Sequence, residues 1–339
     1  MRAVVTGGAG FIGSHIAERL MANGHRVLIV DDLSGGFLDN LPKGSEFEKR
    51  SVTEDLRTLF AAYRPDWVYH LAAYAAEGLS HHIPVFNYRN NTVGTANVLS
   101  ASYLGGAKHF VFTSSIAVYG HPTSSIPFSE DTLCRPCDPY GVAKLACEHH
   151  IRVFHDYYGT PSFTIVRPHN VFGPRQNVSD PYRNVVGIFL ARALQGEALP
   201  IFGDGQQTRS FSDISAVAQC IAECPLVPGA TNAVVNIGGD ESMSVLELAK
   251  HIIRLTGNNG KTSWLTARHE VAHAHCTHEV ARSLFPEAYH HARSVLEGLQ
   301  IMIEYVRSHP FPKPTQCPSE IELWDKLPES WKGVTVRPT

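Results

Sequence analysis

Thr6-Gly7-Gly8-Ala9-Gly10-Phe11-Ile12-Gly13-Ser14 is the stretch that decides the fold. Before it, Ala3-Val4-Val5 is a short apolar run that reads as a buried strand, and after it the spacing predicts a helix to about Asn23, ended by Gly24. Glycines in such a turn allow a tight bend and close approach of the backbone to a ligand. The helix start offers free N–H groups and the positive end of its dipole to a pyrophosphate. The next strand, Arg26 to Val30, leads into Asp31 and Asp32, where an acid is placed to bind adenosine ribose hydroxyls. No Lys or Arg lies between Asp31 and Asn40 to receive a 2′-phosphate, so the pattern favours NAD over NADP.

Working outward, strand and helix keep alternating. Trp67 to Leu71 reads as a strand entering His70-Leu71-Ala72-Ala73, a helix covers about Asn91 to Tyr103, and the strand His109 to Thr113 runs into Ser114-Ser115. Apolar runs of this kind suit a parallel sheet covered on both faces, whose ligand site lies at the C-terminal ends of the strands. Further on, Asp138-Pro139-Tyr140-Gly141-Val142-Ala143-Lys144 opens a helix to about Tyr158, with Tyr140 and Lys144 sharing one face. A lysine there favours the ionised tyrosine. After the strand Phe163 to Arg167 comes Pro168-His169-Asn170-Val171-Phe172-Gly173-Pro174-Arg175, and the sequence then changes character. A helix from Val185 to about Gln195, the segment Ile201-Phe202-Gly203-Asp204-Gly205, a Ser244-to-Glu247 capping box opening a helix to Thr256, and a last helix from about Ala292 to Ser308 read as a smaller lobe.

Composition narrows the function classes. The 339 residues, 43% apolar, supply an ordinary core, and a net charge of −3 from scattered acids and bases leaves no electrostatic footprint for nucleic acid or an anionic membrane. No stretch approaches the roughly 18 apolar residues of a membrane span, so a cytoplasmic location is expected. Seven cysteines without a framework read as reduced thiols, and Cys134-Arg135-Pro136-Cys137 as an ordinary loop. His269-Glu270-Val271-Ala272-His273 matches the zinc-hydrolase pattern, but Val271, His273 and His275 alternate as in a strand. On a strand His269 and His273 stand about 13 Å apart, too far to share one ion, so no metal is expected.

The glycine stretch, Asp31, Ser114-Ser115-Ile116-Ala117-Val118-Tyr119-Gly120 and Tyr140-Gly141-Val142-Ala143-Lys144 together resemble the extended short-chain dehydrogenase/reductase (NAD-dependent epimerase/dehydratase) family of nucleotide-sugar enzymes, most of all the UDP-glucose 4-epimerases. The resemblance covers roughly residues 1 to 290. With it the expected architecture is α/β: a Rossmann-type doubly wound parallel sheet in residues 1–167, to which later segments return, a smaller α/β substrate lobe in 168–309, and a Pro-rich tail in 310–339 that wraps the surface rather than forming a core. The resemblance implies that Tyr140 is the base, that Lys144 binds the nicotinamide ribose and lowers the tyrosine's pKa, and that Ser115 hydrogen-bonds the sugar 4-hydroxyl. It places Gly7, Gly10, Phe11, Ile12, Gly13, Asp31, Asp32, Leu71, Ala72, Ala73 and Asn91 around NAD, and Asn170, Arg209 and Arg268 at a sugar nucleotide, a UDP-hexose above others. Asn91 reads equally well as a packing residue, and Arg209 and Arg268 have a plainer reading as surface charges. The implied chemistry is 4-epimerisation through a 4-keto sugar, in a homodimer formed through the helices around Lys144 and Asn91.

Departures qualify the resemblance. Ile116-Ala117 stands where 4,6-dehydratases carry an Asp-Glu pair, Arg50-Ser51-Val52 replaces the usual acidic adenine contact, and Ala75 stands where many epimerases have lysine. Ser215-Ala216 replaces paired aspartates expected to cap a helix. The position that gates bulky C2 substituents falls near Ala274 or Cys276, both small, which predicts tolerance of N-acetyl sugars. Other enzymes of the same family remain the main alternative reading. A non-catalytic NAD-binding regulator would have no use for Ser115, Tyr140 and Lys144 together.

Overall fold

The computed structural model describes residues 1–122, 126–267, 271–309, 311, 319–328 and 331. The first half runs β1 (Arg2–Thr6), α1 (Phe11–Ala22), β2 (Arg26–Asp31), β3 (Glu46–Lys49), α2 (Arg57–Tyr63), β4 (Trp67–His70), α3 (Glu77–Ser80), α4 (Pro84–Tyr88), α5 (Gly94–Leu104), β5 (His109–Thr113), α6 (Pro139–Tyr158) and β6 (Ser162–Pro168). The second runs β7 (Val171–Phe172), α7 (Val185–Leu194), β8 (Leu199–Phe202), β9 (Thr208–Ser210), β10 (Ser212–Asp213), α8 (Ile214–Glu223), β11 (Ala233–Ile237), β12 (Ser242–Ser244), α9 (Val245–Thr256), β13 (Thr262–Leu265), β14 (His273–Ala274), α10 (Glu279–Leu284), α11 (Pro286–His290) and α12 (Val295–Ser308).

Seven strands form one parallel sheet in the order β11-β6-β5-β4-β1-β2-β3. Side chains alternate across it, as the period of a strand requires. Ala3, Val5, Val27, Ile29, Trp67 and Tyr69 face a layer built from Ile16 and Leu20 of α1 and Val217 and Ile221 of α8. Val4, Leu28, Val30, Val68, Phe110 and Phe112 face Phe60, Val98, Leu99, Cys147 and Ile151 of α2, α5 and α6. Both faces are thus buried, which is why these strands are continuously apolar in sequence. A second core joins Phe189 and Leu190 of α7, Leu248 and Ile252 of α9, and Leu299, Met302 and Ile303 of α12.

Several boundaries differ from the sequence reading. β11 comes from within the second half and pairs with β6, so the large sheet is completed only after the chain has built part of the smaller lobe. The helix expected from Asn91 is instead a π-helical turn, Arg89–Val93, followed by α5, because Asn91 spends its side chain on the backbone of Tyr74 and on Asn87. The last helix starts at Val295, where Ser294 and Glu297 make a capping box. The cap doubted at Ser215-Ala216 is supplied by Asp213, whose carboxylate accepts from Ser215 N at 2.9 Å. The described part of the tail does more than wrap the surface: Ile321, Leu327 and Trp331 are buried with Tyr74, Leu79, Ile83 and Tyr182.

Candidate active site

The C-terminal ends of the parallel strands gather the glycine turn, Asp31, Leu71-Ala72-Ala73 and Ser114-Ser115 along one edge of the sheet. Gly7 sits at φ +72°, and a Cβ there would lie 2.6 Å from the amide nitrogen of Ala72. The turn therefore packs directly on the chain leaving β4, which only a glycine permits. At Gly13 a Cβ would overlap the carbonyl oxygen of Gly7, so the start of α1 presses on the turn from the other side. Asp31 is nearly buried. Its carboxylate accepts from Ala9 N at 3.0 Å and Leu33 N at 2.8 Å, and burial pushes its pKa up while these two hydrogen bonds pull it down. Asp32 accepts from Ser34 N at 2.9 Å. Asn40, which the sequence did not single out, donates to Ala9 O at 3.0 Å and braces the same turn.

This cradle fits a dinucleotide. The backbone approaches closely where a pyrophosphate would need it, the first-turn N–H groups of α1 (Phe11, Ile12, Gly13) have no acceptor within the helix, and the Asp31 carboxylate ends the second strand. Asn91 makes the packing contacts that were the alternative to a cofactor contact. It is buried, takes Tyr74 N at 2.9 Å and gives to Asn87 at 2.8 Å, so it fixes the Leu71-to-Tyr74 segment from behind.

α6 delivers the proton-handling groups. Asp138 caps it by accepting from Gly141 N at 2.8 Å, and Pro139 fills the first helical position, where a missing N–H costs nothing. Gly141 lets the helix close on the Ser115 turn, since a Cβ there would lie 2.6 Å from Ala117 O. Tyr140 is 6% exposed. Burial holds its pKa well above the usual tyrosine value, reinforced by the charge of Glu77, while a side-chain hydrogen bond with Ser115 works the other way. Lys144 is also buried; its Nζ donates to Thr113 O at 2.7 Å and lies 5.8 Å from the centre of the Tyr140 ring. Burial brings its pKa down to about 8, so the cation is held at real cost.

Two further residues were not legible as site groups. His70 sits at the end of β4 with Nδ1 2.7 Å from Thr6 Oγ1 and Nε2 3.0 Å from Thr95 Oγ1. Thr95 already donates to Asn91 O, so Nε2 must carry the proton, and burial with the nearby Lys144 charge drives the pKa to about 3. His70 is a neutral bracket between β1 and α5. Arg183 pairs with Asp180 at 2.9 Å, stacks 4.8 Å above the Tyr74 ring and comes so near Gly35 that a Cβ there would be 2.9 Å from its Nη2. The sequence window from Asp31 to Asn40 holds no basic residue, yet tertiary structure brings this one to its edge.

Ser115, Tyr140 and Lys144 are thus brought together. Asn170, between β6 and β7, and Arg209, on β9, meet through β9 instead. Asn170, at φ +39°, donates to Ser210 O at 3.1 Å, and the Arg209 guanidinium donates to the carbonyls of Thr208, Val271 and Ala272. Arg268, with His269 and Glu270, lies outside the described residues. His273 and Ala274 are in a strand paired with β9, as the alternation predicted, and among the described residues no cluster of metal-ligating side chains occurs. Cys134 and Cys137 are free thiols. Cys276 is buried beside Val118, Tyr119 and Phe128, and the partly buried Ala274 packs against the same cluster, so both small residues expected near the C2 gate lie together.

A family model for the NAD dependent epimerase/dehydratase family matches residues 3–238. The chain belongs to that family. It is 36% identical over 266 residues to UDP-glucose 4-epimerase of Mycolicibacterium smegmatis, covering 76% of this chain and 83% of that protein. It is 35% identical over 276 residues to UDP-N-acetyl-alpha-D-glucosaminuronate decarboxylase of Bacillus cytotoxicus, covering 77% and 82%. The crystal structure of UDP-glucose 4-epimerase with UDP-glucose from Thermotoga maritima superposes with a TM-score of 0.86 at 32% identity, over 91% of this chain and 99% of that one. NAD is accordingly the cofactor of this family member, and the extended Rossmann fold expected from the sequence is the one observed. No helix among the described residues is long and apolar enough to cross a membrane.

Proposed function

We propose that this protein is a UDP-sugar 4-epimerase, interconverting UDP-glucose and UDP-galactose and accepting their N-acetyl forms. Gly7 to Gly13 and Asp31 would hold NAD, which when bound supplies a hydride acceptor that is also the donor for the return step. Tyr140 takes the proton of the sugar 4-hydroxyl, Ser115 orients that hydroxyl through the hydrogen bond it shares with the phenol, and the buried Lys144 cation, 5.8 Å from the Tyr140 ring, would favour the phenolate as a nearby positive charge does. The 4-keto sugar turns over in the pocket, and Tyr140 returns the proton as the carbinol is re-formed with the opposite configuration.

The observation that carries this reading is the turn beside Tyr140. Ile116 and Ala117 occupy it, Ala117 O lies against Gly141, and among the described residues of the turn Ser115 is the one whose polar side chain meets Tyr140. Removing water from the sugar needs an acid and a base at that place, whereas inversion needs neither. A second reading is decarboxylation of a UDP-uronate, in which the same 4-oxidation makes a β-keto acid that loses CO₂. It is favoured by Arg183, whose positive charge is felt at Tyr140, and by the similarity to the Bacillus cytotoxicus decarboxylase.

One experiment separates the two. The purified protein is incubated with UDP-glucose, UDP-galactose, UDP-N-acetylglucosamine and UDP-glucuronate, and products are identified by NMR. Inversion at C4 without added cofactor supports the epimerase. Release of CO₂ from the uronate with no inversion of the neutral sugars would replace it by the second reading, and turnover of UDP-glucose but not its N-acetyl form would reject the Ala274 gate.

A further inference from the structure

Behind Ser115, Tyr140 and Lys144 lies one fully buried carboxylate on which three hydrogen bonds converge. Glu148 accepts from Ser114 Oγ at 2.5 Å, from Arg167 Nε at 2.9 Å and from Arg167 Nη2 at 2.6 Å, and neither charged side chain is more than 3% exposed. Arg167 Nη1 in turn donates to the Tyr119 hydroxyl at 2.8 Å, and that hydroxyl donates to Asn236 Oδ1 at 2.8 Å. Five segments meet here. Ser114 precedes Ser115, Tyr119 ends the turn that Ser115 caps, Arg167 lies on β6 ahead of Asn170, Asn236 is on the closing strand β11, and Glu148 belongs to α6.

Tyr140, Lys144 and Glu148 follow one another at i, i+4 and i+8, so they line a single face of α6. The groups facing Lys144 are the Thr113 carbonyl, the Phe112 ring, Tyr140, the Cys147 thiol, His70 and Glu148, with Arg167, Arg152 and Cys134 on the far side of the carboxylate. Glu148 is the one carboxylate in that company. Without it, the Lys144 cation would face Arg167 across a dry interior.

Stability alone gives no reason for such a pair, since a buried ion pair replaced by apolar groups of similar volume is often neutral or stabilising. A pair of apolar side chains could fill the space, but it could not hold the Ser114 hydroxyl or balance Lys144. We propose that Glu148 is a positioning residue for the oxidation at Tyr140: it sets Ser114-Ser115 against α6 and supplies the negative charge that keeps Lys144 protonated. This inference rests on the proposed hydride chemistry at a sugar carbinol.

The test compares Glu148→Gln, Glu148→Asp and the uncharged pair Glu148→Gln/Arg167→Met with the parent enzyme, all loaded with NAD. Loss of the carboxylate makes Lys144 give up its proton sooner, so in Glu148→Gln the alkaline limb of the kcat profile moves to lower pH. Its kcat falls roughly tenfold or more while KM for UDP-glucose changes by less than about threefold. Glu148→Asp keeps the limb in place, although its shorter reach lowers kcat. The paired variant, which removes the Glu148–Arg167 ion pair as a whole, melts like the parent yet stays slow. Equal impairment of Gln and Asp variants with unmoved limbs, or full turnover in the paired variant, would overturn the proposal.

A readout independent of turnover guards against the sugar chemistry being misassigned. Phenolate absorbance of the NAD-loaded enzyme, taken as the difference from Tyr140→Phe, should appear at higher pH in Glu148→Gln than in the parent. If the parent turns over no sugar nucleotide, the proposed function fails; coincident phenolate titrations of parent and Glu148→Gln sink the role of Glu148 by themselves.

Discussion

Burial opposes the ionised state of Tyr140, and the residues around it decide how far that opposition is met. The Glu77 and Asp138 charges act in the same direction as burial, and the Ser115 hydrogen bond and the Arg183 charge counter them. The positive charge of an oxidised nicotinamide would complete the balance, which makes Tyr140 a base that is armed when the cofactor is in place. Tyr140→Phe should lower kcat by at least about 10²-fold, the usual share of a general base, while NAD released on denaturation stays stoichiometric. Turnover within a few fold of the parent would remove Tyr140 from its role. Tyr140 and Lys144 were legible because they stand four residues apart on one helix, and Ser115 because its motif resembles that of a known family. His70, Arg183 and Glu148 were not, because their significance comes from partners far along the chain: Thr6 and Thr95, Gly35 and Tyr74, Ser114 and Arg167.

At the scale of elements, α6 has two jobs on opposite faces. One face carries Tyr140, Lys144 and Glu148 inward; the other leaves Val153 65% and Tyr157 81% exposed, four residues apart, beside the half-exposed Tyr158. Leu104, at the end of α5, is similarly open at 57%. Apolar residues clustered on adjacent helices are costly to leave in water, and they fit the homodimer expected from the resemblance. Sedimentation should find a dimer that Tyr157→Asp converts to monomer, and a monomeric parent at micromolar concentration would exclude this pairing. Sequence patterning located α6 and its cap, Asp138, because an N-cap, a proline and a helical period all agree there. It misjudged the start of α5 and of α12, where long-range hydrogen bonds to Asn91 and a cap at Ser294 set the boundaries.

Across the whole molecule, several buried histidines tie stability to pH. His70, His109 and His169 are each buried and neutral, and burial drives their pKa values from the ordinary 6.5 down to about 3, 4 and 3. Their folded pKa values lie below the unfolded ones, so the stability they contribute is complete above about pH 6.5 and is lost as pH falls towards the folded values. Each costs about 1.4 kcal/mol per pH unit in that window. The urea midpoint should therefore drop steeply between pH 7 and pH 5, and an unchanged midpoint would mean that these rings titrate alike in the folded and unfolded chain. The alternation of strands and helices made five strands of the large sheet, β1, β2, β4, β5 and β6, readable from sequence, while the short, charged edge strand β3 was not. β11 escaped notice, since a short run of four apolar residues around Asn236 after a lobe looks like any buried run until β6 is seen beside it.

That late strand has a further consequence for how the molecule can be taken apart. Between β6 and β11 the chain visits the smaller lobe, returns through α8 to lie on α1, and after β11 goes back to lay β12 on β9 and α9 on α7. Neither half is a contiguous stretch of polypeptide. A single protease nick in the α7–β8 region would leave two fragments that are still interlaced, each owning pieces of both the cofactor side and the sugar side, and no single-cut domain swap could exchange one specificity for another.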